Sequence, residues 1–97
     1  MKAKMNVDEQ QVSSVDAVTL DALSIDVDLD VKGLNCPLPI LRTKKALAVM
    51  ATGQLIRVQA TDAGSVDDFA AFARHTGNAI VTQSASNGVF EFVLRRK

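Results

Sequence analysis

Seven consecutive residues, Ile25-Asp26-Val27-Asp28-Leu29-Asp30-Val31, alternate apolar and acidic without a break. Successive side chains of an extended chain point to opposite faces, so Ile25, Val27, Leu29 and Val31 share one face and Asp26, Asp28 and Asp30 the other. The segment therefore reads as a strand with one buried and one wet face, and the rest of the chain must cover the buried one. The acidic ladder invites comparison with a metal site. Alternate positions on a solvated sheet face explain it fully, no His or Glu joins it, and no metal is expected.

The residues that follow supply the cover. "PLPILRTKKALAVM" has helical spacing, with Ile40, Leu41, Leu47 and Met50 available for burial and Arg42, Lys44 and Lys45 exposed; Gly53 is the expected stop. "QLIRVQA" returns to alternation, with Ile56, Val58 and Ala60 inward. "GSVDDFAAFARHTG" is a second helix: Ser65 with Asp68 resembles a capping box, Val66, Phe69 and Phe72 form an apolar stripe, and Gly77 ends it. "NAIVTQS" and "VFEFVLRR" flank Asn87-Gly88, a hairpin signal because a type I′ turn needs positive φ at both central residues. Phe90, Phe92 and Leu94 mark the inner face of the last strand.

The order is strand, helix, strand, helix, strand, strand. Helical crossovers favour parallel pairing, and the closing hairpin must be antiparallel. Because the strands keep a wet face, the helices belong on one side only. The expected fold is an α/β two-layer sandwich, βαβαββ, with two helices on one face of a mixed four-stranded sheet. It occupies residues 25–97; residues 1–24 form an N-terminal extension without sustained period, flexible or partly helical through "VDAVTLDAL".

Composition narrows the class. A single cysteine excludes an intramolecular disulfide. No apolar run approaches the roughly 20 residues that span a bilayer, and "NVDEQQVSS" follows the N-terminal lysines where a signal peptide would be apolar. The expected setting is cytoplasmic, without membrane contact. The net charge of zero hides an asymmetry: residues 1–30 carry seven acids against two lysines, residues 31–97 nine bases against four acids. The basic remainder suits an acidic partner or an ordinary solvated surface.

The lone thiol, Cys36, lies in "GLNCPLPILRTKK", after the first strand and at the opening of the first helix. A residue before proline is pushed out of the helical region, as an N-cap is, and proline is tolerated in a first turn. With Cys36 as N-cap, Pro37 is N1 and Pro39 is N3, so only the Leu38 amide is left for the sulfur. The helix dipole favours a thiolate there, as would Arg42, Lys44 or Lys45 curling back. The competing reading is a small buried hydrophobe.

Other candidates are weaker. The only histidine, His75, sits near the end of the second helix, roughly 15 Å from that helix's start at about 1.5 Å per residue, so a Cys–His dyad is not expected. Asp62 follows the second strand and, in a parallel crossover, shares the edge of Cys36. It can shuttle a proton, orient a partner or close an Asx-turn; as a negative charge it opposes thiolate formation. Gly33 and Gly64 flank this edge as turn residues allowing close approach, and no phosphate-cradling glycine motif occurs.

Together, Cys36-Pro37-Leu38-Pro39 after a strand, "ATDAGS" closing the second strand, "HTGNAI" at the helix exit and the terminal "RRK" resemble the TusA/SirA-like family of sulfur-carrier proteins, over about residues 26–97. The resemblance implies the βαβαββ fold and a persulfide relay without cofactor. Sulfur would reach Cys36 from a cysteine desulfurase or rhodanese-type donor and pass to an acceptor protein, in tRNA thiolation, molybdenum-cofactor maturation or sulfur oxidation. By position, Cys36 is the persulfide carrier, Pro37 and Pro39 shape its turn, and Asp62 belongs to the second motif. Ala63 stands where the family often has proline, and Leu38 where the best-known tRNA-thiolation member is acidic.

An exposed thiolate without a histidine base or deep pocket suits exchange in a protein–protein encounter, where the partner supplies the remaining groups. Donors are expected on the edge of Cys36 and Asp62, with Arg42, Lys44 and Lys45 steering an acidic surface. The rival is a non-catalytic module binding RNA or a regulatory protein. Direct nucleic-acid binding is not expected, because aromatics for base stacking are scarce and one sheet face is acidic. A peroxide-sensing thiol is a third reading, with sulfenic acid in place of persulfide.

Overall fold

The computed structural model describes residues 24–97; the expected extension lies almost wholly outside them. The elements run β1 (Ile25–Val31), α1 (Leu38–Ala48), β2 (Leu55–Ala60), α2 (Ser65–Thr76), β3 (Ala79–Ser86) and β4 (Val89–Arg95). One four-stranded sheet has the order β1-β2-β4-β3. β1 and β2 are parallel, β4 is antiparallel to both neighbours, and the hairpin turns through Asn87 and Gly88 at φ 52° and 78°. This is the mixed sheet with two helices that the alternation demanded.

Register explains the core. Val27, Leu29 and Val31 stand opposite Ile56, Val58 and Ala60, which in turn stand opposite Leu94, Phe92 and Phe90. Val31, Ile56, Val58, Ala60, Phe92 and Leu94 are fully buried beneath Leu47, Phe69 and Phe72 of the helices. The rings of Phe69 and Phe92 stack at 4.4 Å between centroids and 15° between planes, fastening α2 to the middle of the sheet.

The outer face is polar, and its aspartates are all partnered. The Asp28 carboxylate accepts from Arg57 Nε at 2.6 Å, Asp26 accepts the Leu55 amide, and Asp30 accepts the amide of Lys32 and lies 3.2 Å from its ammonium. The lysine's amide and ammonium hold the Asp30 carboxyl below its usual range. Asp26 and Asp28 thus pair across strands to β2, while Asp30 is held by Lys32 at the end of its own strand.

The helix ends depart from expectation in two places. α1 stops at Ala48, with the Val49 and Met50 amides turned back onto Ala46 and Leu47, so Gly53 belongs to the following turn and does not end the helix. Its buried stripe is Pro39, Thr43 and Leu47, one side chain per turn, while Leu41 is 52% exposed. The expected burial of Leu41 fails because a helix four-residue row starting at Pro39 turns Leu41 outward. At α2, Gly64 is the N-cap and no side chain caps the helix. The Ser65–Asp68 capping box does not form: Ser65 is already inside the helix and buried. Gly77 does end α2, at φ 81° with its amide on the Ala73 carbonyl. Beyond it Asn78 accepts the Lys97 amide, and Arg96 donates to the Leu47 carbonyl, so "HTGNAI" and "RRK" meet at one end of the sheet.

Candidate functional site

Parallel β1 and β2 place the loops that follow them on one edge of the sheet. The Gly33 amide donates to Thr61 Oγ1 at 2.8 Å and ties the two loops together. Gly33 is required for its φ of 83°, not for close approach, since a Cβ there would meet nothing within 4 Å. In the second loop, Asp62 Oδ2 accepts the Gly64 amide and the Asp62 carbonyl accepts that of Ser65. The Asx-turn among the readings of Asp62 is thus realised.

Cys36 is exposed and sits two residues ahead of Leu38, the first residue of α1, joined to Pro37 by a cis peptide. Pro37, not Cys36, is the N-cap, and Pro39 is the second helical residue, its side chain buried. The Leu38 amide, expected to serve the sulfur, donates to the Asn35 carbonyl at 2.9 Å. Thr43, fully buried, donates from Oγ1 to the Pro39 carbonyl at 2.8 Å and braces this first turn from below.

A groove of about 440 Å³ runs from Cys36 between the two helices. Ile40, Leu41, Ala71 and Phe72 give it an apolar lining; Asp68 stands at the Cys36 end and His75 two turns farther along α2. Of the three basic residues of α1, Lys44 lines the groove, in the row Pro37, Ile40, Leu41, Lys44. Arg42 and Lys45, exposed, belong to another face.

The thiol's electrostatics differ from expectation. Its pKa is raised: hydrogen bonding to the Asp68 carboxylate comes first, then desolvation, then the negative charges of Asp68 and Asp62. The expected thiolate is disfavoured, because the Leu38 amide is taken by Asn35 and the charges that act on the sulfur are the carboxylates of Asp68 and Asp62. Asp68 is the residue that sequence reasoning missed. Its helical position was legible, but its spacing from Ser65 matched a cap and hid its approach to Cys36. His75 was placed correctly along α2, though its share in the groove was not anticipated.

Residues 27–96 match the sequence model of the family described as sulfurtransferase TusA. The chain belongs to this family. A sulfur carrier protein TusA of Allochromatium vinosum is 52% identical over 71 residues, spanning 73% of this chain and 93% of that protein. A relative from Neisseria meningitidis serogroup A is 54% identical over 69 residues, 71% of this chain and 93% of its own. Among solved structures, a SirA-like protein of Desulfitobacterium hafniense superimposes with a TM-score of 0.63 at 28% identity, covering 71% of this chain and 95% of that one. The family match, over residues 27–96, takes in both helices, the Cys36 loop and nearly all of the sheet.

Proposed function

We propose that this TusA-family protein is a sulfur carrier that holds a persulfide on Cys36, receives it from a cysteine desulfurase or rhodanese-type donor, and delivers it to an acceptor protein. One observation carries the reading: the chain's only cysteine is solvent-exposed on a braced loop at the mouth of an apolar groove. Transfer needs no oxidant. The Cys36 sulfur attacks the terminal sulfur of the donor persulfide, the donor's S–S bond breaks, and the departing donor thiolate takes up the proton that Cys36 gives up. Delivery is the same exchange with the roles reversed.

Pro37 and Pro39 shape the loop, Gly33 closes its turn, and Asp62 builds the neighbouring one. The partner docks on this edge, with exposed Leu38 and Leu41 offering apolar contact beside the sulfur. Lys44 meets the partner directly, and Arg42 and Lys45 steer its acidic surface from a distance. No helix among the described residues is long and apolar enough to cross a membrane. Residues 25–97 form the carrier domain, with residues 1–24 an extension to it. Tasks open to such a carrier include tRNA thiolation, molybdenum-cofactor maturation and sulfur oxidation.

Intact mass after incubation with L-cysteine and a cysteine desulfurase tests the reading. The expected result is a gain of one sulfur, removed by dithiothreitol and missing in Cys36→Ser. No gain with desulfurases and rhodaneses as donors would overturn the carrier reading in favour of a binding module.

A further inference from the structure

Asp68 lies in the first turn of α2, where its charge suits the helix dipole. It caps nothing and forms no salt bridge among the described residues, yet it shares the end of the groove with Cys36. A Cβ on Gly64 would stand 3.2 Å from Asp62 Oδ2 and 3.6 Å from Asp68 Oδ2, so the two carboxylates converge beside the same loop. The charged groups around the thiol come from three elements. Asp62 belongs to the β2–α2 loop; Asp68 and, two turns on, His75 belong to α2; Lys44 belongs to α1, two turns beyond Pro37. The acids stand at the sulfur's end and the basic groups farther down the groove. Carboxylates at this end repel a thiolate and so favour the protonated, unreactive form.

Building on the carrier reading, we propose that Asp68 and Asp62 keep Cys36 as an idle thiol in the free protein, and that a cationic side chain of the partner, laid on this carboxylate pair, releases it for sulfur transfer. An arginine fits best, because its planar fork can bridge converging carboxylate oxygens and stays charged throughout. With the pair neutralised, the thiol gives up its proton and attacks the donor's terminal sulfur. The donor thiolate leaves and is protonated in turn, so the exchange consumes no other reactant. A matching partner is therefore bipolar, acidic opposite α1 and basic opposite the start of α2.

Two methanethiosulfonate reagents, one bearing trimethylammonium and one sulfonate, test this. Each is attacked by the thiolate to give a mixed disulfide and methanesulfinate, and the cationic one imitates the partner's charge. Normalised to an unstructured cysteine peptide, the wild type should prefer the cationic reagent by about tenfold, the order expected for two carboxylates beside the sulfur in water-like surroundings. Asp68→Asn should lose most of this preference, and its reaction with neutral iodoacetamide should quicken at about pH 7, well below an ordinary thiol pKa. A preference no greater than the peptide's, or unchanged in Asp68→Asn, overturns the proposal. A second measurement needs no variant: the wild-type preference must collapse in about 1 M salt, where the Debye length is about 3 Å. Persulfide loading measured on the same samples separates the two readings. Loading without charge preference sinks the gating alone; charge preference without loading sinks the carrier and, with it, the partner's part in the gating.

Discussion

The stack of Phe69 on Phe92 is the contact that sets how α2 lies on the sheet, and Phe69 is the chain neighbour of Asp68, so it also sets the acid's approach to Cys36. Both rings are fully buried. Substituting either by leucine removes part of a ring but keeps a core hydrophobe, for an expected loss of about 1–2 kcal/mol each. Alanine would cost about 3–5 kcal/mol, too much for a small domain whose whole stability is about 5–10 kcal/mol. If the near-parallel stack contributes beyond the area it buries, each single leucine variant already forfeits that contribution, about 0.5–1.5 kcal/mol. The double variant loses it only once, and should be less destabilised than the sum of the singles by that amount. Urea unfolding followed by far-ultraviolet circular dichroism measures the cycle; tryptophan and tyrosine fluorescence cannot, because the chain has neither residue. A double variant equal to the sum within about 0.3 kcal/mol would refute the argument. The seam would then be held by buried area alone, with no orientation preference to fix α2.

Other outcomes follow from single residues. Cys36→Ser should change unfolding stability by less than about 0.5 kcal/mol, since the side chain is exposed; a larger loss would mark the thiol as structural. Titration of thiolate absorbance in the ultraviolet should place the Cys36 midpoint above that of a free cysteine peptide, because Asp68 and Asp62 favour the proton. An equal or lower midpoint contradicts that assignment. Gly77→Ala should lower stability by about 1 kcal/mol or more, and Gly77→Asn by less. The added Cβ would stand 2.9 Å from Lys97 Cδ, but that flexible side chain can yield, so the φ of 81° decides the loss. Arg57→Gln should lose less than about 1 kcal/mol, and the loss should shrink in high salt, since its pair with Asp28 is largely solvated and therefore screened.

Much of the fold was legible because it rests on local periodicity. "IDVDLDV" can bury only one set of side chains, and Phe90, Phe92 and Leu94 repeat that logic in the last strand. Asn87-Gly88 declared its turn by backbone chemistry that few other pairs allow. Helix phase was harder to read. The segment "PLPILRT" has apolar residues on several faces, and only contact with the sheet selects Pro39, Thr43 and Leu47 over Leu41. Thr43 was hidden for the same reason, since a hydroxyl satisfied by its own helix can be buried as readily as a methyl.

The site divides in the same way. The sequence alone determined that a single thiol would stand on a loop between strand and helix, next to prolines, on an edge shared with Asp62. Periodicity and right-handed crossovers leave no other place for it. Only the tertiary structure decided the thiol's chemistry. Whether Cys36 meets helix amides or carboxylates depends on how α1 and α2 rotate about their axes as they pack. That packing turned Asp68 toward the sulfur, while the local turn of residues 35–38 gave the Leu38 amide to Asn35. Interaction energies between charges change steeply over a few ångströms, and a residue's position in the chain does not specify such distances.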